Sequence, residues 1–252
     1  IRNEHGATPL IVAASHNSTS VVKELKKANL NAQNNYGETA LNIAAFLGFN
    51  DMVNLLLNYP VDRAIKGDGQ CTALMFAAWK GHAEIVQRLL IPPPGVKLKQ
   101  SLQDQQANQA LILAVYHNRL SVVGVLVALG TKIDINVKGI GNNTPLMIAA
   151  YNGFESIVAT LIRAGADINA VNERGQTAQD LANMNGHNGI VHRLESKGSQ
   201  EAPVGSDKTF RESALPPVTS HYDHHKMNAR KKRPTTFQLG AADEKKSWRK
   251  PG

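Results

Sequence analysis

The sequence predicts an all-α solenoid of about six stacked helix-turn-helix units, followed by a basic tail, and three observations carry that prediction. A Thr-Pro-Leu start, or a variant of it, recurs at Thr8, Thr39, Thr72, Gln109, Thr144 and Thr177, at successive spacings of 31, 33, 37, 35 and 33 residues. After each start come a short apolar stretch and then a second one with helical spacing. Only 5% of the chain is aromatic against 42% hydrophobic, which suits helices stacked through small and aliphatic side chains. Helix pairs this short cannot bury their apolar faces alone, so the copies must stack on one another.

The stretch from Asn142 to Asn169, NNTPLMIAAYNGFESIVATLIRAGADIN, shows the physical logic of one unit. Thr144 can cap an orphan backbone N–H, and Pro145 at the first helical position gives up no needed donor. Ala149 and Ala150 keep one face small enough for close packing, and Gly153 supplies the left-handed conformation that ends the helix. Ile157, Val158, Leu161 and Ile162 then form an apolar stripe of helical period, closed by Gly165.

The segment TALMFAAWKGHAEIVQRLL, from Thr72 to Leu90, resembles the ankyrin repeat pattern G-x-T-P-L-H-x-A-A-x-x-G-H followed by I/V-V-x-x-L-L-x-x-G-A-D. The resemblance extends from residue 1 to about residue 195. It implies β-hairpin fingers between the helix pairs and a concave groove that holds another protein, without catalysis. The repeats are expected over 1–196, starting near Gly6, Gly37, Gly69, Asn108, Asn142 and Gly175, with a disordered basic tail over 197–252.

Taken in order, the first unit keeps its Thr-Pro start and Ala13-Ala14 but places Lys23, Glu24, Lys26 and Lys27 in its second helix, as a cap or a polar convex surface would. The second, from Gly37, has Gly48 between its helices and Leu55, Leu56 and Leu57 in the second one. In the third, Gly69 stands one place early and leaves Gln70 where a positive φ is expected, so its turn should differ. Pro92, Pro93 and Pro94 then stop the helix and hold the chain extended. The fourth unit starts at Asn108-Gln109 without a Thr-Pro cap and recovers the core pattern through Ala114, Val122, Val123, Leu126 and Gly130. Gly139 and Gly141 suggest a longer or more mobile finger before the fifth. The sixth carries Gln179, Asp180, Asn183 and Asn185 where earlier units are apolar or small, the mark of a C-terminal cap.

From Gly198 onward the chain has 11 Lys+Arg against 6 Asp+Glu, so +5 of the total +8 lies in the tail and only +3 on the repeats. The basic pI therefore does not call for nucleic acid on the repeats. Arg230, Lys231, Lys232 and Arg233, followed by Pro234, resemble a nuclear import signal that an import receptor would read. A plain solubilising tail, or attraction to anionic surfaces aided by Phe237 and Trp248, fits the same composition. The single Cys71 excludes an internal disulfide. No apolar run long enough to span a membrane occurs, VVGVLVAL from Val122 to Leu129 being among the longest. A location in the cytoplasm or the nucleus is the expectation; Ile1 is not an initiator methionine, so an upstream piece is expected to be missing.

The sequence holds no paired-carboxylate site, zinc spacing, phosphate-binding glycine loop or nucleophile elbow, so no catalytic, cofactor or metal residue is assigned. His221, Asp223, His224 and His225 lack further partners for a metal. His82 and His187 are read as structural, and Cys71 as a bystander.

The informative positions are the two before the residue that ends each first helix, which the resemblance places in the groove. The first of each pair reads Ser15, Phe46, Trp79, Tyr116, Tyr151 and Met184, and the second His16, Leu47, Lys80, His117, Asn152 and Asn185. Four of only 13 aromatic residues therefore stand at one equivalent position in four consecutive repeats. Either each ring packs over the neighbouring helix, or the row is a binding surface, aromatic side chains being strong interface anchors. Finger residues Asn35, Tyr36, Glu38, Asp68, Gly69, Gln105, Gln106, Asn108, Ile140, Asn143, Glu173, Arg174 and Gln176 would flank it. They are mostly neutral, which favours protein over nucleic acid.

The partner-binding set is Phe46, Leu47, Trp79, Lys80, Tyr116, His117, Tyr151 and Asn152, with Tyr36 and Arg174. The leading reading is a non-catalytic interaction module or scaffold. Two alternatives are the substrate-targeting part of a larger enzyme or secreted bacterial effector, and a nuclear cofactor whose tail contacts nucleic acid.

Overall fold

The computed structural model describes residues 2–25, 28–91, 100–129 and 133–201. Six helix pairs follow one another: α1 (Pro9–Ser15) with α2 (Thr19–Glu24), α3 (Ala40–Leu47) with α4 (Asn50–Leu57), and α5 (Ala73–Lys80) with α6 (Ala83–Leu90). Then come α7 (Gln100–Tyr116) with α8 (Leu120–Ala128), α9 (Pro145–Tyr151) with α10 (Glu155–Arg163), and α11 (Ala178–Met184) with α12 (Asn188–Glu201). The odd-numbered helices pack side by side in one row and the even-numbered ones in a second. Between the rows lies a continuous aliphatic core that includes Leu41, Leu56, Ile85, Leu111, Leu126, Leu146, Ile157, Leu161 and Ile190. The alanine pairs Ala44-Ala45, Ala77-Ala78 and Ala149-Ala150 are fully buried, as close approach of neighbouring first helices requires.

Each Thr start caps its helix as expected. The Oγ1 of Thr72 accepts the Met75 N–H at 3.4 Å, that of Thr144 the Met147 N–H at 3.3 Å and that of Thr177 the Asp180 N–H at 3.2 Å. The cap's own N–H is satisfied in return by whatever stands three residues on: the thioether sulfur of Met75 or Met147 at 3.4 Å, or the carboxylate of Asp180 at 2.8 Å. In the second repeat this position is Asn42, buried at 2% exposure; Thr39 donates to its Oδ1, while its Nδ2 donates to Ile65 O and Cys71 O of the next finger.

Several expectations are corrected. Helix α7 runs unbroken from Gln100 through Asn108, so Gln105 and Gln106 lie within a helix and are not finger residues. With no capping residue at the usual place, nothing stops the polar stretch before Gln109 from joining the helix. The fingers are tight turns without an assigned strand among the described residues. At the base of each a backbone bond joins the two arms, Asn34 N–H to Glu38 O at 2.9 Å, Gly67 to Cys71 at 2.8 Å, Gly139 to Asn143 at 3.0 Å and Asn172 to Gln176 at 3.1 Å, and a second runs back across the turn, as from Gly37 N–H to Asn34 O at 3.0 Å. The glycines before the fifth repeat thus make a finger of ordinary length.

Gln70 does take the unusual backbone, φ 60, beside Gly69 at φ 66, and Asn142 repeats it at φ 57 beside Gly141 at φ 67. Helix α12 continues past the boundary expected after residue 196; the shift in composition there marks a loss of apolar periodicity, not a helix end. Gly130, the proline run from Pro92 to Pro94 and the tail from residue 202 lie outside the described residues. They include the metal-like histidines and Arg230, Lys231, Lys232 and Arg233.

Candidate binding surface

The ends of the first helices are built by an exchange between neighbouring repeats. Gly48, Gly81 and Gly153 hold left-handed backbone at φ 81, 92 and 75. A side chain of the following repeat lies on each: a Cβ on Gly48 would sit 2.5 Å from the His82 ring, one on Gly153 2.6 Å from the His187 ring, and one on Gly81 2.9 Å from Arg119 Cδ. That side chain reaches a carbonyl at the preceding helix end, His82 Nε2 to Phe46 O at 3.2 Å, Arg119 Nε to Trp79 O at 3.0 Å and His187 Nε2 to Tyr151 O at 3.1 Å. The histidines are structural, as expected, but their bonds run between repeats and not within a loop. In the first and fourth repeats Asn17 and Asn118 take the left-handed position, at φ 52 and 55. The residue that follows one repeat later is then Phe49 or Phe154. The sequence reading missed this alternation; the signal was present, as Gly with His or Arg and Asn with Phe.

Because those carbonyls are pinned, the side chains at the helix ends are presented in register. Phe46 and Trp79 meet edge to face with ring centroids 5.7 Å apart, and Trp79 continues to His117 at 5.6 Å, which in turn lies 5.8 Å from Tyr116. The structure thus brings together residues of the second, third and fourth repeats in one strip. It also anchors two of the rings: Phe46 and Trp79 are half-buried against Phe76, at 5.7 and 6.4 Å, beside buried Cys71 and Met75. The Lys80 ammonium lies 4.2 Å from the Phe46 centroid and 5.3 Å from that of Trp79, a cation–π contact that covers part of the aromatic surface. Leu47 is half-buried.

Farther along, the side chains open to solvent. Tyr151 is 39% exposed and Met184, at the equivalent place in the sixth repeat, 55%. Asn152 is exposed and turns its Nδ2 to Ile148 O at 2.8 Å. Among finger residues Tyr36, Ile140 and Arg174 are exposed. Glu38 and Gln176 are not tips: each stands at its finger's base, where Asn34 Nδ2 donates to Glu38 Oε2 at 2.9 Å and Asn172 Nδ2 to Gln176 Oε1 at 3.2 Å. Burial pushes the Glu38 carboxyl above its ordinary pKa; the Asn34 bond opposes this and nearby Asp68 adds to it. Cys71 is buried, with Sγ 3.6 Å from Gly69 O.

Among the described residues no group of His, Cys, Asp and Glu could hold a metal ion, and no helix is long and apolar enough to cross a membrane.

Comparison with known proteins agrees with this architecture. A family described as ankyrin repeats (3 copies) matches residues 1–67 and 61–139, and the single ankyrin repeat matches 141–173. The chain belongs to the ankyrin repeat family. It is 32% identical over 187 residues to a transient receptor potential cation channel subfamily A member 1 homolog of Caenorhabditis elegans, covering 73% of this chain and 15% of that protein. It is 30% identical over 172 residues to the nuclear factor NF-kappa-B p105 subunit of Gallus gallus, covering 66% and 17%. The solved ankyrin repeat domain of Bcl-3, a member of the IkappaB protein family, superposes with a TM-score of 0.64 at 28% identity, covering 76% of this chain and 85% of that one. The chain thus spans a small fraction of the first two relatives' length.

Proposed function

We propose that this chain is a non-catalytic interaction module whose first-helix ends, from the second repeat to the fifth, hold a segment of another protein. The observation that carries the reading is the register of Phe46, Trp79, Tyr116 and Tyr151 at one equivalent position, with Phe46, Trp79, His117 and Tyr116 linked ring to ring. Membership of a family whose repeats serve as protein-binding modules supports it. Within the strip the roles divide. Phe46 and Trp79 are a firm floor, since they already pack on Phe76, while Tyr151, with Met184 beyond it, offers solvent-exposed area to a partner. Rigid aromatic surface loses little side-chain entropy on binding, so anchors of this kind dominate interface energies.

The test is affinity capture with the full chain, compared with a Tyr116→Ala/Tyr151→Ala variant and with an outer-row variant, Arg88→Ala. Partners retained by the outer-row variant and lost by the tyrosine variant are expected; partners held equally by all three would refute the groove reading. Nuclear import through Arg230, Lys231, Lys232 and Arg233 is a separate proposal, resting on the basic run before Pro234. A reporter fused to residues 220–252 should enter the nucleus and fail to when those four residues are Ala; cytosolic distribution of both would remove it.

A further inference from the structure

The outer row of helices carries a second feature, unrelated to the aromatic strip. Between the last turn of α10 and the middle of α12 lies a cleft of about 180 Å³ lined by Ala159, Ile162, Arg163, Arg193, Ser196 and Lys197. Three cations therefore converge on one small space. Among the described residues neither arginine has a carboxylate partner. Arg163 makes only long bonds within its own helix, Nε to Ala159 O at 3.4 Å and Nη2 to Thr160 Oγ1 at 3.5 Å. Of the neighbouring acids, Glu195 lies 3.4 Å from Gln179 and 3.5 Å from His192, and Glu155 stands against Gly189, at the other end of the helix pair.

Stacking does not require this charge. One repeat earlier, the matching positions are Gly124, Val127 and Ala128 with Thr160, Arg163 and Ala164, a single cation. One repeat before that they are Gln87, Leu90 and Ile91 with Val125, Ala128 and Leu129, with none. Like charges held side by side repel, and an anion placed between them relieves that repulsion while gaining charge-assisted hydrogen bonds. Two planar guanidinium groups and an ammonium suit an oxyanion carrying close to two negative charges, which describes a phosphate monoester near neutral pH. The apolar floor of Ala159 and Ile162 and the exposed Ser196 leave room for the carbon stem of a phosphorylated side chain.

We infer that the α10–α12 cleft is a binding site for a phosphorylated side chain of a partner polypeptide, held by Arg163, Arg193 and Lys197. The site is separate from the aromatic strip and would let the chain contact a second segment, or a second partner, on its outer face.

The test follows the Nε–H resonances of Arg163 and Arg193 by NMR in the full 252-residue chain. The probes are inorganic phosphate, a short alanine peptide containing one phosphoserine, the same peptide with Ser or Glu in its place, and vesicles containing a phosphoinositide. Saturable shifts at both arginines are expected with phosphate and the phosphopeptide, none with the Ser peptide, and binding at least tenfold weaker for Arg163→Gln/Arg193→Gln with unchanged melting. Lys197→Gln, read separately, should weaken binding severalfold and serves as the deciding variant should the double substitution disturb the fold. No saturable shift, equal shifts at Arg88, undiminished binding by the variants, equal binding of the Glu peptide, or a response to vesicles but not to the phosphopeptide would each overturn the proposal.

Discussion

Replacing Gly153 by Ala tests whether the exchange between repeats holds the stack together. Gly153 is at φ 75, so an alanine there bears left-handed backbone strain of about 1 kcal/mol. Its Cβ would also fall 2.6 Å from His187 Cε1 and 2.9 Å from Nδ1, which no real contact tolerates. The ring must move, and with it goes the 3.1 Å bond to Tyr151 O, a further loss of about 1 kcal/mol. The substitution should therefore cost roughly 2–3 kcal/mol in all. Gly165 is the control: its φ is 85 and nothing lies within 4 Å of a built Cβ, so Gly165→Ala should lose only the backbone part, about 1 kcal/mol. In a His187→Ala background the clash is gone, and Gly153→Ala should fall to the same cost as Gly165→Ala. Urea denaturation of the four members of that cycle measures a coupling of about 1–2 kcal/mol if the reasoning holds. Equal costs for Gly153→Ala in both backgrounds, or no excess over Gly165→Ala, would refute it. Gly153→Val, with β-branching added, should be worse than Ala on every count.

Trp79→Ala should lower stability by roughly 2 kcal/mol, because the ring packs on Phe46 and Phe76, whereas Tyr151→Ala should change melting little; equal melting of the two variants would contradict the division into floor and exposed anchor. Thr72→Ala removes a fully buried cap and should cost about 1–2 kcal/mol in a denaturant titration, against almost nothing for a solvent-facing Thr. Burial raises the folded pKa of Glu38 above its ordinary value of 4.5, so the folded state holds the proton more tightly than the unfolded one. Its contribution is fully present below the unfolded pKa and is lost as pH rises through the folded value. Glu38→Gln should accordingly stabilise the chain at neutral pH and lose that advantage as pH falls to 4.5 and below; a pH-independent difference would sink the assignment.

The repeat number, the caps and the aliphatic core were legible because each depends on residues a few places apart: Thr before a helix start, a glycine after it, apolar positions at helical spacing. The start of α7 was not, since Pro92 to Pro94 and the polar stretch after them give no positive signal for a helix, and only the absent cap at Asn108 hints that it runs on. The aromatic row could be read as a coincidence of position in four repeats, yet sequence position says nothing of where a ring points. That was decided by packing between repeats. Phe46 and Trp79 settle against the buried ring of Phe76, while Tyr151 has no ring neighbour among the described residues and stays exposed. The same holds for Arg163 with Arg193 and Lys197, which lie some thirty positions farther along the chain; all three are ordinary as single surface residues. Local propensity, acting over one turn, determined the units; contacts between units, which no single stretch encodes, decided which side chains became core and which were left exposed.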